Sequence, residues 1–261
     1  MDTLTLLYAI TAGLFGLVFG SFFNVVGIRV VKKESIAYPP SHCVHCNHEL
    51  KPLDLIPVLS YLGLRGACRY CRAKISPIYP IGELVTAVAF AVTTWLIGPS
   101  LELIVGLVFV SILMICSIAD SRYRIIPDKV VFSGMIVAFL LRIWIHPLPL
   151  WNYSVAFIVG GGVLYLVALA SVLIMKKEGM GGGDIKLLAF IGLIVGIKLT
   201  LFTLFVASLF GTIYGLVQIR VKSSREDQGI PFGPFIAAGA FFSYFWGESV
   251  INWYLSFIHF K

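Results

Sequence analysis

The chain predicts an all-α polytopic membrane protein of about eight transmembrane helices, with a cytosolic zinc-ribbon-like insertion after the first span. Three observations carry that reading. Of 261 residues, 59% are hydrophobic and only 13% are charged, where soluble proteins carry roughly a quarter charged residues. Apolar runs recur along the chain, several near the ~20 residues that cross a bilayer as a helix. One long polar interval, residues 29–78, breaks the pattern and holds four of the five cysteines. Spans made of helices satisfy their own backbone hydrogen bonds, and no strand pattern competes with them.

The spans fall at about 4–28, 79–98, 101–119, 130–146, 151–175, 187–197, 199–219 and 230–253. The first follows Asp2 and lacks a basic leader, while its positive cluster comes after the apolar segment. It therefore predicts a retained helix with the N-terminus outside, not a signal peptide. The sixth, LLAFIGLIVGI, is short and is set off from the seventh only by Lys198. Seven crossings, or a tilted and partly re-entrant pair, stay open. With the N-terminus outside, every Lys and Arg except Arg142, Lys198 and Lys261 lies on the inner side, 17 of 20. That asymmetry is the positive-inside rule. The net charge of +7 then reports topology and contact with lipid headgroups, and it implies no nucleic-acid partner. Three regions follow: a first helix at 1–28, a cytosolic four-cysteine domain at 29–78, and a transmembrane core at 79–261.

Within the polar interval, Cys43 and Cys46 in SHCVHCNHEL and Cys68 and Cys71 in GACRYCRAK form two C-x2-C pairs separated by 21 residues. That is close to the ribbon spacing for a tetrahedral zinc site, each pair offering two thiolates from one tight knuckle. Four thiolates leave no open coordination position, so the metal would be structural. A polar segment of this size has too few apolar residues to fold on burial alone. Disulfides or redox-active thiols are the alternatives, disfavoured by a reducing cytoplasmic face and by the absence of a βαβ pattern. His42, His45 and His48 flank the first knuckle as loop residues or substitute ligands. Cys116, alone in a span, reads as a packing residue.

Carboxylates near hydrocarbon are costly and are functional candidates by default. Four stand at the membrane boundary: Glu83, Asp120, Asp128 and Asp184. Asp120 ends the third span and Asp184 opens the sixth, 64 positions later; the topology places both at the inner ends of helices. If they meet, like charges in a low-dielectric site cannot both ionise. One then draws a proton from water while the other donates to a peptide carbonyl, which hydrolyses a peptide without a covalent intermediate. The glycines of GMGGGD, Gly179 and Gly181 to Gly183, would let an extended peptide approach the backbone beside Asp184. Plainer readings stand alongside. Asp184 suits a helix N-terminus, Asp120 suits pairing with Arg122 or Arg124, Asp128 after Pro127 suits a helix start, and Glu83 suits the first turns of its span. The GGG at 160–162 suits close helix packing. GMGGG lacks the strand that a nucleotide-binding loop requires.

In sequence order, GSFFNVVGIR, the two C-x2-C pairs, YPIGELVTA, D-x6-PD at 120–128, GMGGGDIK and PFGPF resemble the bacterial type IV prepilin peptidases along nearly the whole chain. The resemblance implies a GxGD membrane aspartic protease of the bacterial inner membrane with Asp120 and Asp184 as its catalytic pair. It also implies cleavage of prepilin, pseudopilin or competence-pseudopilin leaders after a glycine at the cytoplasmic face. Methylation of the new N-terminal amine from S-adenosylmethionine would follow. Gly181, Gly183, Lys186, Glu83 and Asp128 are candidates for substrate contact or support. A peptidase without methyltransferase activity is the first alternative. A zinc-stabilised transporter is the second, although such a protein should place its acids near the midplane, not at inner helix ends.

Overall fold

The computed structural model describes residues 3–176, 180–221 and 230–258. The inner-side charges Lys177, Lys222 and Arg225, together with Gly179, Lys261 and Asp2, lie outside the described residues. The elements in order are α1 (Thr3–Val31), α2 (Leu59–Gly63), α3 (Ile78–Ile97), α4 (Leu101–Tyr123), α5 (Asp128–Trp144), α6 (Leu150–Met175), α7 (Gly182–Val195), α8 (Ile197–Val221) and α9 (Gly233–Ile258). Eight of these follow the eight predicted spans. Among the described residues, α1, α3, α4, α6 and α8 are long and apolar enough to cross a membrane. No strand is present there, only two isolated antiparallel bridges, His42 with Glu49 and Ala67 with Lys74.

The chain divides into two compact units, Met1–Arg122 and Tyr123–Lys261. In the first, α1 lies against α3 through glycines. A Cβ on Gly16 would stand 2.7 Å from the Ala87 Cα, and one on Gly20 would stand 2.7 Å from the Glu83 Cα. Both distances are shorter than a side chain tolerates, so the backbones touch. Without a hydrophobic drive between helices in lipid, such small-residue contacts are how membrane helices associate. At Gly27, α1 also meets α4, where a Cβ would lie 3.1 Å from the Ile115 carbonyl oxygen. The polar loop is tied back to this bundle by the buried Arg29, which donates to the carbonyls of Ser35 and Ile36 at 3.0 and 3.4 Å and of Pro40 at 3.4 Å.

In the second unit, α7 is the central helix: every residue from Leu187 to Val195 is buried. It rests on α6 at two glycines. A Cβ on Gly160 would meet the Leu188 carbonyl oxygen at 2.7 Å, and one on Gly192 would collide with the Ala156 carbonyl. Of the expected GGG packing motif, Gly160 makes the close contact, whereas Gly162 faces open space. The buried Arg142 of α5 donates to the Ile194 carbonyl at 2.6 Å and to the Ile145 carbonyl at 3.0 Å, and stacks over the Tyr153 ring at 5.0 Å. It thus serves one carbonyl in the last turn of α7 and one at the end of its own helix, where helices leave carbonyls unpaired.

Three boundaries differ from expectation. The sixth predicted span, α7, starts at Gly182, five residues before the expected Leu187, because the polar GGDIK is already helical. The break before α8 is Gly196, whose φ of +79° is a left-handed conformation that glycine adopts at little cost. Lys198 is inside α8 and pairs with Glu248 of α9 at 2.5 Å. The third predicted span, α4, runs three residues beyond Asp120, to Tyr123.

Candidate active site and metal centre

The candidate metal centre is built from two knuckles. In the first, the Cys43 amide donates to the His48 carbonyl and the Asn47 amide to the Cys43 carbonyl; in the second, Cys68 and Ala73, and Arg72 and Cys68, repeat the pattern. Asn47 and Arg72 take positive φ at 54° and 60° to close them. The four Sγ atoms of Cys43, Cys46, Cys68 and Cys71 all lie within 4.8 Å of one another, with Cys43 and Cys71 3.8 Å apart. A tetrahedral zinc bound at ~2.3 Å separates its sulfurs by ~3.8 Å, so the cluster has the size and donor set for that ion. Backbone amides of Cys46 and His45 bring the Cys43 thiol down to about 6, which favours the thiolate that a metal needs.

The histidines take other roles. His42 Nδ1 is 3.0 Å from the Pro40 carbonyl oxygen, and the His48 ring packs on Tyr70. Asp54 locks the ribbon further, its carboxylate accepting from Arg69 Nε at 2.5 Å, the Lys51 amide at 3.2 Å and the Tyr70 hydroxyl at 3.3 Å. Burial opposes its charge, but these donors and the Arg69 cation outweigh burial and hold the carboxyl below its ordinary value of 3.8. Sequence reasoning passed over Asp54, since nothing in KPLDLIP marks its partner 15 residues away.

Asp120 belongs to the first unit and Asp184 to the second. Each is buried, at 5% and 9% exposure, and neither occupies the N-cap position of its helix. Asp120 lies inside α4 with Cys116 one turn before it. Asp184 is the third residue of α7, after a Gly181 cap in extended conformation. Its amide donates to the Gly181 carbonyl at 3.1 Å. A Cβ on Gly181 would be 3.6 Å from Asp184 Oδ2, and one on Gly182 would meet nothing within 4 Å. The carboxylate thus faces backbone that carries no side chain. Gly183 differs: a Cβ there would lie 2.8 Å from the Ile126 Cβ, so its missing side chain is filled by a residue of the same unit.

Asp128 and Lys186 come together. Asp128 opens α5, and Lys186 Nζ donates to its Oδ1 at 2.7 Å while lying 5.6 Å from the centre of the Phe132 ring. Glu83, 8% exposed on α3, accepts the Val58 amide at 2.7 Å. Arg122 packs over the Tyr79 ring at 5.1 Å. The α1 residue Asn24 was also overlooked; it is 2% exposed and bonds across to α3. A lone Asn in an apolar run was the available signal.

Buried carboxylates on apolar helices and a four-thiol cluster in one chain define a class: a polytopic membrane protein with acid–base potential and a cysteine cluster that could hold a metal ion. Two family models match the chain, the bacterial peptidase A24 N-terminal domain over residues 14–97 and the type IV leader peptidase family over residues 107–216. Curated relatives are called prepilin leader peptidase/N-methyltransferase. That of Bacillus subtilis (strain 168) is 37% identical, covering 93% of this chain and 96% of the relative. Those of Pseudomonas putida and Aeromonas salmonicida (strain A449) are 32% and 31% identical, covering 93% and 96% of this chain and 92% and 94% of theirs. No solved structure shows significant similarity. The chain belongs to the type IV leader peptidase family.

Proposed function

We propose that this protein removes the leader of type IV prepilins or related pseudopilins after a glycine, using Asp120 and Asp184 as an aspartate dyad, and then methylates the exposed N-terminal amine. Kinship over nearly the full length with proteins named for both activities is the observation that carries the reading. The burial of both carboxylates and the bare backbone at Gly181 and Gly182 support its peptidase half.

In this reading a substrate strand lies along Gly181 and Gly182. One aspartate, ionised, takes a proton from water, whose oxygen attacks the scissile carbonyl carbon. The other, protonated, gives its proton to the carbonyl oxygen. Collapse of the tetrahedral species breaks the C–N bond, and the proton taken from water passes to the departing amine. Lys186 and Asp128 hold α7 to the start of α5 and so position Asp184. The four cysteines hold a structural Zn²⁺ in a cytosolic domain at 29–78, and residues 79–261 form the peptidase core. S-adenosylmethionine supplies the methyl group. The protein sits in the bacterial inner membrane with its N-terminus outside and both aspartates at the cytoplasmic side, as the distribution of Lys and Arg supports.

Co-expression with a full-length prepilin whose leader ends in Gly-Phe, followed by intact mass measurement, tests both halves. Loss of the leader with gain of one methyl group is expected. Recovery of unprocessed pilin beside well-expressed enzyme would contradict the assignment.

A further inference from the structure

Glu83 is a buried membrane carboxylate that leader cleavage leaves unused. Its Oε2 accepts the Val58 amide at 2.7 Å, and the Ser21 side chain lies beside it. Among the described residues no Lys or Arg forms an ion pair with it. A carboxylate in this setting is costly and ordinarily finds a cation.

A second deficit sits at the same contact between α1 and α3. Asn24 donates from Nδ2 to the Gly20 and Tyr79 carbonyls, both at 3.1 Å, which leaves its Oδ1 as the free end. That oxygen is buried, has no donor, and would lie 3.0 Å from a Cβ on Gly82, the residue before Glu83. Ser21 and Val58, both partly exposed, flank the carboxylate. Val58 is held at φ +60°, ψ −48°, a region that a β-branched residue enters only under constraint. The group these features lack is a cationic hydrogen-bond donor. A primary ammonium, with its several N–H donors, meets that need better than a bare metal ion, because an amide N–H already points at the carboxylate.

We propose that Glu83 and Asn24 bind the α-ammonium of the cleaved substrate, making the contact between α1 and α3 the methyl-acceptor site. The proposal rests on the methyltransferase half of the function above. An ammonium has no lone pair and cannot be alkylated. Glu83 takes one proton from it, the freed nitrogen pair forms the new N–C bond to the methyl carbon of a sulfonium donor, and the S–C bond breaks with its electrons going to sulfur. Methylation of the neutral amine gives the secondary ammonium directly, and Glu83 returns to its carboxylate by releasing the proton it took to water.

The test uses the purified full-length protein and a synthetic peptide that begins with a free phenylalanine amine, so that prior cleavage is not required. Binding is measured without methyl donor for that peptide and for its N-acetyl form, and methylation is then followed by mass. Wild type should prefer the free amine. Glu83→Gln, which keeps an acceptor for the Val58 amide, should lose that preference and methylate about 100-fold more slowly, the loss expected for a general base. Glu83→Asp should recover part of the rate. Unchanged preference or rate in Glu83→Gln would overturn the proposal, as would failure of wild type to methylate the peptide. Failure of wild type to cleave full-length prepilin would instead strike the peptidase assignment and leave the peptide result readable.

Discussion

Lys186, in the first turn of α7, donates to the carboxylate of Asp128, the first residue of α5, at 2.7 Å. The contact lies two residues from Asp184 and two from Ile126, which fills the space over Gly183. The entry of α7 is therefore held at two points by one short segment, residues 126–128. That pairing gives D-x6-PD and GMGGGDIK a shared structural use.

The ion pair is partly exposed on both sides, and such pairs contribute only about 0.2–1 kcal/mol. Lys186→Met should therefore change the thermal midpoint little. Prepilin cleavage should fall more than stability does, because Asp184 loses one of its two anchors. Exchanging the pair, Lys186→Asp with Asp128→Lys, should restore part of the rate. Parallel thermal unfolding and cleavage assays separate the two effects.

Gly183→Ala should destabilise the fold and Gly182→Ala should leave its stability unchanged. The first puts a methyl 2.8 Å from the Ile126 Cβ, the second puts it in open space. Overpacking of that kind costs about 1–3 kcal/mol. Adding Ile126→Ala to Gly183→Ala should return much of the lost stability, measured as the unfolding midpoint in detergent.

The same comparison applies within the GGG of α6. Gly160→Ala drives a methyl toward the Leu188 carbonyl at 2.7 Å, whereas Gly162→Ala meets nothing. Backbone cannot yield as a side chain tip can. Expression and thermal stability should drop for the first and hold for the second.

Metal analysis should find one zinc per chain, lost in Cys68→Ser. Cys116, fully buried in α4, should resist alkylation after chelation while the four ribbon thiols react. Affinity should fall with falling pH, since protons compete for thiolates. The Asp54 pairing adds a separate acid limit. Its carboxyl is held below 3.8 in the folded ribbon, so its stabilisation is present above that value and is lost as pH falls through the lower folded value. Proteolysis of residues 35–76 across pH 2–5 should reveal that opening in wild type, with Asp54→Asn already weakened at pH 5 and changing less with acid.

The sequence placed the long helices because apolar runs of bilayer length announce themselves, and it placed the four-thiol cluster because C-x2-C spacing is a direct consequence of knuckle geometry. It misplaced the α7 start, since GGDIK reads as a polar loop although it forms a helical turn capped by Gly181. Lys198 reads as a boundary because it is charged; Gly196 is the break, and Lys198 pairs sideways with Glu248. The stripe of Gly13, Gly16 and Gly20 against α3 was present as a small-residue pattern. Partners such as Val58 for Glu83 and Ile194 for Arg142 were beyond reach, because tertiary contact alone brings a backbone group to a distant side chain.

The most direct measurement is the intact mass of a Gly-Phe prepilin co-expressed with wild type, Asp120→Asn or Asp184→Asn, with each enzyme's abundance and unfolding midpoint confirmed. Leader removal by wild type alone, from three equally folded proteins, is the predicted result. Leader removal by either Asn variant would contradict the dyad and return Asp184 to the role of an acidic residue in the first turn of a helix.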